Sequence, residues 1–402
     1  MGIHKFSQVF QEVRKVKYKD MKGWTIAIDA MTELYRAALG AKSISELTDK
    51  EGNPTMHISV ILAIVLEMQR NSIKQIWIFD HDQNTKNGEF HNIDKLNEIA
   101  KRSKRKKEAQ DTLEEMLKKK ELFESDEDES VNKDVNKDVN KDVNKDVNKD
   151  VNKDVNKDVN KDVNKDFEDG EVELGSIPII NKEKKSIKPE LNTEQKIEKL
   201  KKQSFSLGKN VISDIKLILN CLNIMYIESP SGFEGEQIAA YLSSTNQVDA
   251  VFSGDTDPIA FGAKVLLRRN PFDKKIYEYT QKNIIKQIRD GYSINQNIKV
   301  KKPTIKDIRK ICCILGNDFC KKTPNIGPKT LYKKIHTIKL TSQQKKAMLF
   351  FEKEPENDIE TYNSKKTAFE NYAHEYLLDW LVDEKSFTRS RIKKWFDSIN
   401  CT

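Results

Sequence analysis

VFSGDTDPIAFG (251–262) ends an apolar run and at once places two carboxylates, Asp255 and Asp257, one residue apart. Alone the stretch is an ordinary acidic turn, because Gly and Asp both favour turns. Its meaning comes from recurrence. Asp29 closes TIAIDA (25–30) and Asp80 closes QIWIFD (75–80), each at the end of a β-branched or aromatic run. Glu234 and Glu236 stand in GFEGEQIAAYL, at or near a helix start, where the helix dipole favours negative charge and offers a purely stabilising role. Asp318 follows the helical pattern that ends at Leu315-Gly316. Two like charges 4 Å apart repel by about 4 kcal/mol at an effective dielectric of 20, so carboxylates gathered this way need cations. Oxygen donors without His or Cys select hard divalent ions, Mg²⁺ or Mn²⁺, over zinc. Two such ions about 4 Å apart activate water and stabilise both the attacking and the leaving oxygen of a phosphodiester. No HExxH, GxSxG or Walker motif offers a different chemistry.

Basic residues supply a second half. KLNEIAKRSKRKKEA (95–109) reads as a solvated helix face or a nuclear localisation signal by composition. Its spacing adds that Lys95 and Arg102, seven apart, project from one helix face and could hold a phosphate against an acidic site. TPNIGPKTLYKKI (323–335) places Gly327 for a tight turn, Pro328 near the first helical position, then Lys329. Backbone N–H groups at such a helix start bind phosphate regardless of base sequence.

The elements that must position these groups alternate. TIAIDA, QIWIFD and DAVFSGD (249–255) read as strands, and 58–71, 210–223, 234–245 and 304–316 read as helices. Strands separated by helices predict an α/β fold with a mainly parallel sheet covered on both faces, and ligands in such folds bind at the carboxyl ends of the strands. Between the halves, VNKD repeats nine times over 131–166 after an acidic lead-in. A four-residue period does not hold one helix face, and nothing larger than Val is present to build a core, so the tract reads as a disordered spacer. The organisation read is therefore 1–119, a low-complexity insertion at 120–192, and 193–402.

Bulk properties agree. The net charge of +8 favours a polyanionic partner, and 37% hydrophobic against 33% charged residues implies that part of the chain is unpacked. Five cysteines without a CxxC pair read as reduced thiols of an intracellular protein. The longest apolar run, ISVILAIVL, is about half a membrane span, no secretory signal precedes it, and MGIHKFS misses a myristoylation signal at Phe6. The protein reads as soluble, without a membrane role.

Taken in order, MGI, IDA, FD, KLNEIAKR, FEGEQIA, SGDTDPIAFG, LGNDF and NIGPK resemble the flap endonucleases, in the superfamily of structure-specific 5′-nucleases (XPG/Rad2-like). LFFEKEPEND and DEKSFTRSRI are similar to its closing segments. The resemblance covers most of 1–110 and 205–400. It implies a PIN-like twisted sheet with helices on both faces, a helical cap and a helix–two-turn–helix unit. It also implies a monomer acting on branched or flapped DNA in replication, repair or recombination, at a nuclear or cytoplasmic site. By the same resemblance Asp29, Asp80, Glu234, Glu236, Asp255, Asp257 and Asp318 are the metal-site acids for two Mg²⁺ or Mn²⁺ ions, and Lys95 and Arg102 the phosphate-polarising pair. Gly2 is implied to lie near the active site. Asn325, Gly327 and Lys329 of NIGPK are implied to grip the uncleaved duplex strand, with K⁺ at that turn. LTDKEGNPTMHI (47–58) looks like the segment that receives a one-nucleotide 3′ flap.

Three departures qualify the pattern. Gly-Phe precedes Glu234 as in the bacterial and phage branch, yet Gln237 stands where that branch often has a third acid. The stretch from Asp80 to Lys95 is long, leaving Lys86 as a fallback for Lys95. The VNKD tract interrupts the cap. QKKAMLFF (344–351) suggests a sliding-clamp box but has Ala347 at the aliphatic position, which makes it unconvincing. The expected activity is metal-dependent 5′-nuclease cleavage of DNA at single-strand/double-strand junctions. The alternatives are an RNA-directed or single-strand 5′–3′ exonuclease and a non-catalytic junction-binding scaffold.

Overall fold

The computed structural model describes residues 2–39, 48–53, 55–80, 93–127, 192–205, 207–270, 273–295, 302–335, 337–355 and 373–400. The VNKD tract lies outside the described residues.

Seven strands form one sheet in the order β1-β7-β6-β5-β2-β3-β4. They are β1 (Arg14–Val16), β2 (Thr25–Asp29), β3 (Lys74–Phe79), β4 (Met225–Glu228), β5 (Ala250–Phe252), β6 (Val265–Arg269) and β7 (Ile276–Thr280). β6, β5, β2, β3 and β4 run parallel, while β7 is antiparallel to β6 and β1 to β7. The expected parallel sheet is therefore present, with an antiparallel margin that the sequence reading did not contain. From β2 the chain builds outward to β3 and β4, then returns to lay β5 on the other side of β2. That reversal opens a crevice at the carboxyl ends of β2 and β5, the place where open α/β sheets bind ligands.

Both faces of the sheet are covered, which is why TIAID and AVF read as unbroken apolar runs. Successive side chains of β2 alternate faces. Ala27 joins one core with Val251, Leu266 and helix residues Ile238, Ile259 and Ile311. Ile26 and Ile28 join the other with Trp77, Phe252 and the apolar face of the helix Met56–Arg70. Ile28 is fully buried beside Asp29. Ile28→Val is expected to cost about 1 kcal/mol. Urea unfolding should show a lower midpoint at unchanged slope.

Helices α1 (Phe6–Val9), α2 (Ala30–Leu39), α3 (Met56–Arg70) and α4 (Ile93–Glu127) precede the insertion, and α5 (Thr193–Ser204), α6 (Lys209–Cys221) and α7 (Gly235–Ser244) follow it. Then come α8 (Asp257–Phe261), α9 (Gln281–Asn295), α10 (Ile305–Leu315), α11 (Pro328–Lys334), α12 (Ser342–Glu352), α13 (Ala373–Asp383) and α14 (Arg389–Asn400). The chain divides into two compact units, 1–106 with 205–402, and 107–204. In the second unit, the described residues are helical save for residue 192, and Ala109 and Met116 of α4 pack with Ile197 and Leu200 of α5. Helix α4 continues to Glu127, beyond the residue-119 boundary read from composition.

In the larger unit, α10 is followed by a turn closed by an Asn317–Cys320 bridge, a second turn through Asn325, and then α11. This is the helix–two-turn–helix arrangement that the resemblance implied. Cys221, Cys312, Cys313 and Cys320 are free thiols, all buried. Among the described residues no helix is long and apolar enough to cross a membrane.

The 344–351 segment packs inward along much of its length. Gln344 is 1% exposed and donates to the carbonyls of Cys313 at 2.9 Å and Lys321 at 3.2 Å. Ala347 and Phe351 are also buried, and Phe350 meets Phe261 edge-on and Phe319 at a tilt. The four positions a clamp would need are spent on joining α12 to α10, the turn after it and α8.

Candidate active site

Register brings the first acids together. Ile28 pairs with Phe252 across the parallel β2–β5 ladder, so the next residues, Asp29 and Ser253, face each other at the carboxyl edge. Asp29, 4% exposed, also precedes α2. Its carboxylate accepts the Thr32 N–H at 3.0 Å, the Thr32 hydroxyl, and the Ser253 hydroxyl at 2.9 Å. Burial pushes its pKa up to about 6; the Thr32 hydrogen bonds oppose the rise, and the nearby charge of Asp80 adds to it. Asp80, just past β3, accepts the N–H of Gly235 at 2.7 Å, so the second strand end is tied to the start of α7. A Cβ on Gly235 would stand 3.0 Å from that carboxylate oxygen.

Helix α7 delivers the next pair. Glu234 occupies its N-cap and Glu236 its first turn. Burial raises the Glu236 pKa well above the ordinary carboxylate range, helped by the charges of Asp255, Asp29, Asp257 and Glu234 in that order. Glu236 is only half-buried by exposed area, so the other carboxylates walling it are as telling as the lost water. Asp255 lies in the turn after β5, with its N–H on Ser253 Oγ at 3.0 Å, and its own Oδ1 takes the Thr256 N–H at 2.8 Å. Asp257, 2% exposed, begins α8 and is followed by Pro258. Arg268 of β6 donates to the Gly254 carbonyl at 3.0 Å and steadies the same turn. A Cβ on Gly254 would meet the Thr32 methyl at 2.6 Å, so the turn and the start of α2 pack in direct contact.

Six of the seven sequence-predicted acids thus act on one another: Asp29, Asp80, Glu234, Glu236, Asp255 and Asp257. The seventh, Asp318, sits in the turn after α10 and takes Nη2 of Arg102 at 2.8 Å. Among the described residues no three acids, histidines or cysteines already close round one point as a metal-binding group; the carboxylates meet through the protein's own donors. The donor chemistry nevertheless fits a hard divalent cation. The donors are oxygens throughout, two of the acids are nearly inaccessible to water, and the charges of the others raise the Glu236 pKa.

The start of the chain belongs to this site. Gly2 is buried at φ +94°, and a Cβ built there would lie 1.7 Å from Asp255 Oδ1 and 2.7 Å from Thr256 Oγ1. The Ile3 N–H donates to Thr256 Oγ1 at 2.9 Å, and the His4 N–H to the Gly316 carbonyl at 3.0 Å. Only glycine suits both that backbone conformation and that contact. Gly2→Ala is expected to displace Asp255 and to lower any activity that depends on this acid by about 10²-fold, since a 1 Å misplacement can cost that much. The rate of that activity, read beside the melting temperature, checks it.

The basic residues are distributed differently from the expectation. Lys95 and Arg102 lie two turns apart on α4, as their spacing predicts. The Lys95 side chain and residue Lys86 lie outside the described residues, while Arg102 is held on Asp318. In NIGPK the tight turn is made by Asn325, at φ +57°, and not by Gly327. Gly327 is extended at φ −124°, with open space where a Cβ would be, and its N–H is taken by Thr330 Oγ1 at 3.0 Å. Asn is among the side-chain-bearing residues that best tolerate the left-handed region, and that is the sequence signal for this turn. Lys329 is exposed on the first turn of α11.

Two further positions are clarified. Gln237 does not face the acids; its amide donates to the Lys353 carbonyl at 2.7 Å. Of the 47–58 segment, Leu47 and Pro54 lie outside the described residues; Asp49 accepts the N–H groups of Glu51 at 3.0 Å and Asn53 at 2.8 Å. Lys385, from the loop after α13, reaches Asp214 at 2.8 Å and Asp49 at 4.0 Å. Residues the sequence reading passed over are the small polar ones beside the acids: Thr32, Ser253 and Thr256. Asp-x-x-Thr at 29–32 carries a recognisable signal, an Asp capping the helix it precedes.

Known proteins match this chain in two stretches and over its length. The family model described as XPG N-terminal domain matches residues 1–109, and the one described as XPG I-region matches 223–318, together about half the chain. Flap endonuclease 1 of Aspergillus clavatus is 22% identical over 418 residues, covering 98% of this chain and 83% of the relative. Flap endonuclease 1 of Nitrosopumilus maritimus is 30% identical over 218 residues, 50% of this chain and 61% of the relative. Among solved structures, flap endonuclease-1 from Methanococcus jannaschii aligns over 99% of both chains with TM-score 0.58 at 18% identity. The catalytic core of Rad2 in complex with DNA substrate aligns over 99% of this chain and 100% of that one, with TM-score 0.52 at 12% identity.

Proposed function

This chain belongs to the XPG/Rad2 flap endonuclease family, nucleases acting on DNA, and on that premise we propose that it is a divalent-metal-dependent 5′-nuclease cleaving at single-strand/double-strand junctions. The observation that carries the reading is the acid set: three parallel strand ends and one helix start bring six mutually repelling carboxylates into one crevice. Asp29, Asp80, Glu234, Glu236, Asp255 and Asp257 would hold Mg²⁺ or Mn²⁺, with Asp318 at the rim. When bound there, two such ions activate water and stabilise the attacking and leaving oxygens of a phosphodiester.

The chain's own groups do the rest. Thr32, Ser253 and the Gly235 N–H orient carboxylates before substrate arrives. Arg102, now on Asp318, would exchange that partner for the scissile phosphate, with Lys95 on the same helix as its companion. Guanidinium-to-phosphate bonds are charge-assisted and replace the carboxylate with a like partner. Asn325, Gly327 and Lys329 would hold the uncleaved strand through phosphates, with K⁺ at the turn. Such contacts carry no base sequence, so recognition is by shape and weakens as salt rises. The Asp49–Lys385 cluster is the corresponding candidate for receiving a one-nucleotide 3′ flap. The substrate places the enzyme wherever the cell replicates or repairs DNA, nuclear or cytoplasmic.

The test is cleavage of a 5′-labelled double-flap DNA with Mg²⁺, beside matched single-stranded, blunt duplex and RNA substrates. A short product released at the junction and abolished by EDTA supports the reading. Cleavage confined to RNA or single strands replaces it with an exonuclease of the same fold. Tight binding without cleavage replaces it with a junction-binding scaffold.

A further inference from the structure

Three acid-bearing segments converge on one hydroxyl. Ser253, fully buried, follows β5 directly, and its Oγ lies 2.9 Å from Asp29 Oδ2 and 3.2 Å from Glu236 Oε1. The same oxygen accepts the Asp255 N–H at 3.0 Å. A strand end, a helix start and a turn, each carrying one of the acids, therefore share a single atom. A serine hydroxyl offers one proton and two lone pairs; here the proton is shared between Asp29 and Glu236, and one lone pair takes the Asp255 N–H.

We propose that Ser253 is a positioning residue for divalent-metal binding: its hydroxyl holds the carboxylates of Asp29 and Glu236 at a set separation, with the Asp255 N–H on the same oxygen. The inference rests on the metal-dependent nuclease reading and deepens it. Two carboxylates of like charge turn apart unless something between them donates to both or a cation joins them. Ser253 supplies that donor before any cation arrives, so metal binding begins from carboxylates already turned toward each other. The backbone beneath it is independently anchored. The Ser253 N–H donates to the Leu267 carbonyl at 3.2 Å, Arg268 holds the Gly254 carbonyl, and Gly254 packs on Thr32. Deleting the hydroxyl therefore leaves the turn in place and removes only the orienting contact. Partners that orient metal-binding side chains in this way typically govern 10–100-fold in metal affinity.

The experiment uses the full chain and compares wild type, Ser253→Ala and Ser253→Thr. Mn²⁺ binding is titrated without DNA, by the loss of the free-ion electron paramagnetic resonance signal. The expected result is that Ser253→Ala weakens Mn²⁺ affinity by about tenfold or more and raises the Mg²⁺ needed for half-maximal cleavage by a similar factor. Its metal-free melting temperature and its affinity for flap DNA in EDTA stay at wild-type values. Ser253→Thr restores most of the metal affinity. Should the threonine methyl prevent folding, Ser253→Cys, a weak donor of similar size, is expected to fall between wild type and alanine. Unchanged Mn²⁺ affinity in folded Ser253→Ala overturns the proposal, as does a loss of activity explained wholly by a lowered melting temperature, or a wild-type chain that binds no Mn²⁺. A wild type that binds Mn²⁺ but cleaves no DNA overturns the nuclease reading alone, and Ser253 is then judged on the titration.

Discussion

Asp257→Asn is expected to lower cleavage of a double-flap DNA by about 10³-fold while the folded protein becomes more stable, not less. Asn keeps the size and shape of the side chain, 2% exposed at the start of α8, and removes only its charge. A carboxylate that helps hold a metal contributes several kcal/mol of charge stabilisation in the transition state, and 10³-fold corresponds to about 4 kcal/mol. The stability effect has the opposite sign. Asp257 is one of four acids whose charge raises the Glu236 pKa, so without metal its removal relieves repulsion. Each kcal/mol relieved raises the melting temperature by about 2–4 °C in a domain of moderate size. Asp29→Asn should behave alike in activity. Wild-type cleavage by either variant would sink the metal assignment, and a large fall in metal-free stability would mean that the acid serves the fold.

The acids were legible in the sequence because their placement follows from backbone geometry. Apolar runs buried on both faces mark parallel strands, and an Asp closing such a run must lie at the carboxyl edge. Three strand ends of this kind, one of them Ser253-Gly-Asp-Thr-Asp, sufficed to gather a site before any coordinates. The antiparallel margin was not legible for the converse reason. β6 ends in Arg268 and Arg269, and β7 interleaves Tyr and Glu, so neither shows an uninterrupted apolar run. Gly327 and Asn325 exchanged roles because glycine in a turn motif invites a positive-φ assignment that only dihedral angles can locate. QKKAMLFF was ambiguous for a different reason. Gln, an aliphatic and two aromatics serve a docking motif and a helix core equally well, and Gln344's three interior partners decide the matter. The Arg102–Asp318 pair joins positions 216 apart in the chain, and no local pattern announces it.

Mg²⁺ is expected to stabilise the protein little near pH 4 and strongly above pH 6, and the reason lies in two groups of opposite sign. Asp29 is raised from 3.8 to about 6, so its contribution is fully present below pH 3.8 and is lost as pH rises through 6. That loss is about 3 kcal/mol, taken at 1.36 kcal/mol per unit. His57, 5% exposed at the start of α3, is lowered from 6.5 to about 4 by burial and then by the Lys385 charge. Its contribution is present above pH 6.5 and is lost as pH falls toward 4, again by about 3 kcal/mol. Without metal the two nearly cancel between pH 4 and 6.5, and the contribution of this pair to the stability profile is close to flat. A divalent cation binds the ionised acids and displaces their protons, so the Asp29 penalty disappears while the His57 slope stays. At 100 times the dissociation constant the ion adds about 2.7 kcal/mol. Melting curves with Mg²⁺ and with EDTA should therefore separate progressively from pH 4 to 6 and run parallel beyond it. Asp29→Asn should narrow that separation, because it removes both a ligand and the raised acid. An Mg²⁺ shift of equal size at pH 4.5 and 7.5 would place the ion elsewhere than on these carboxylates.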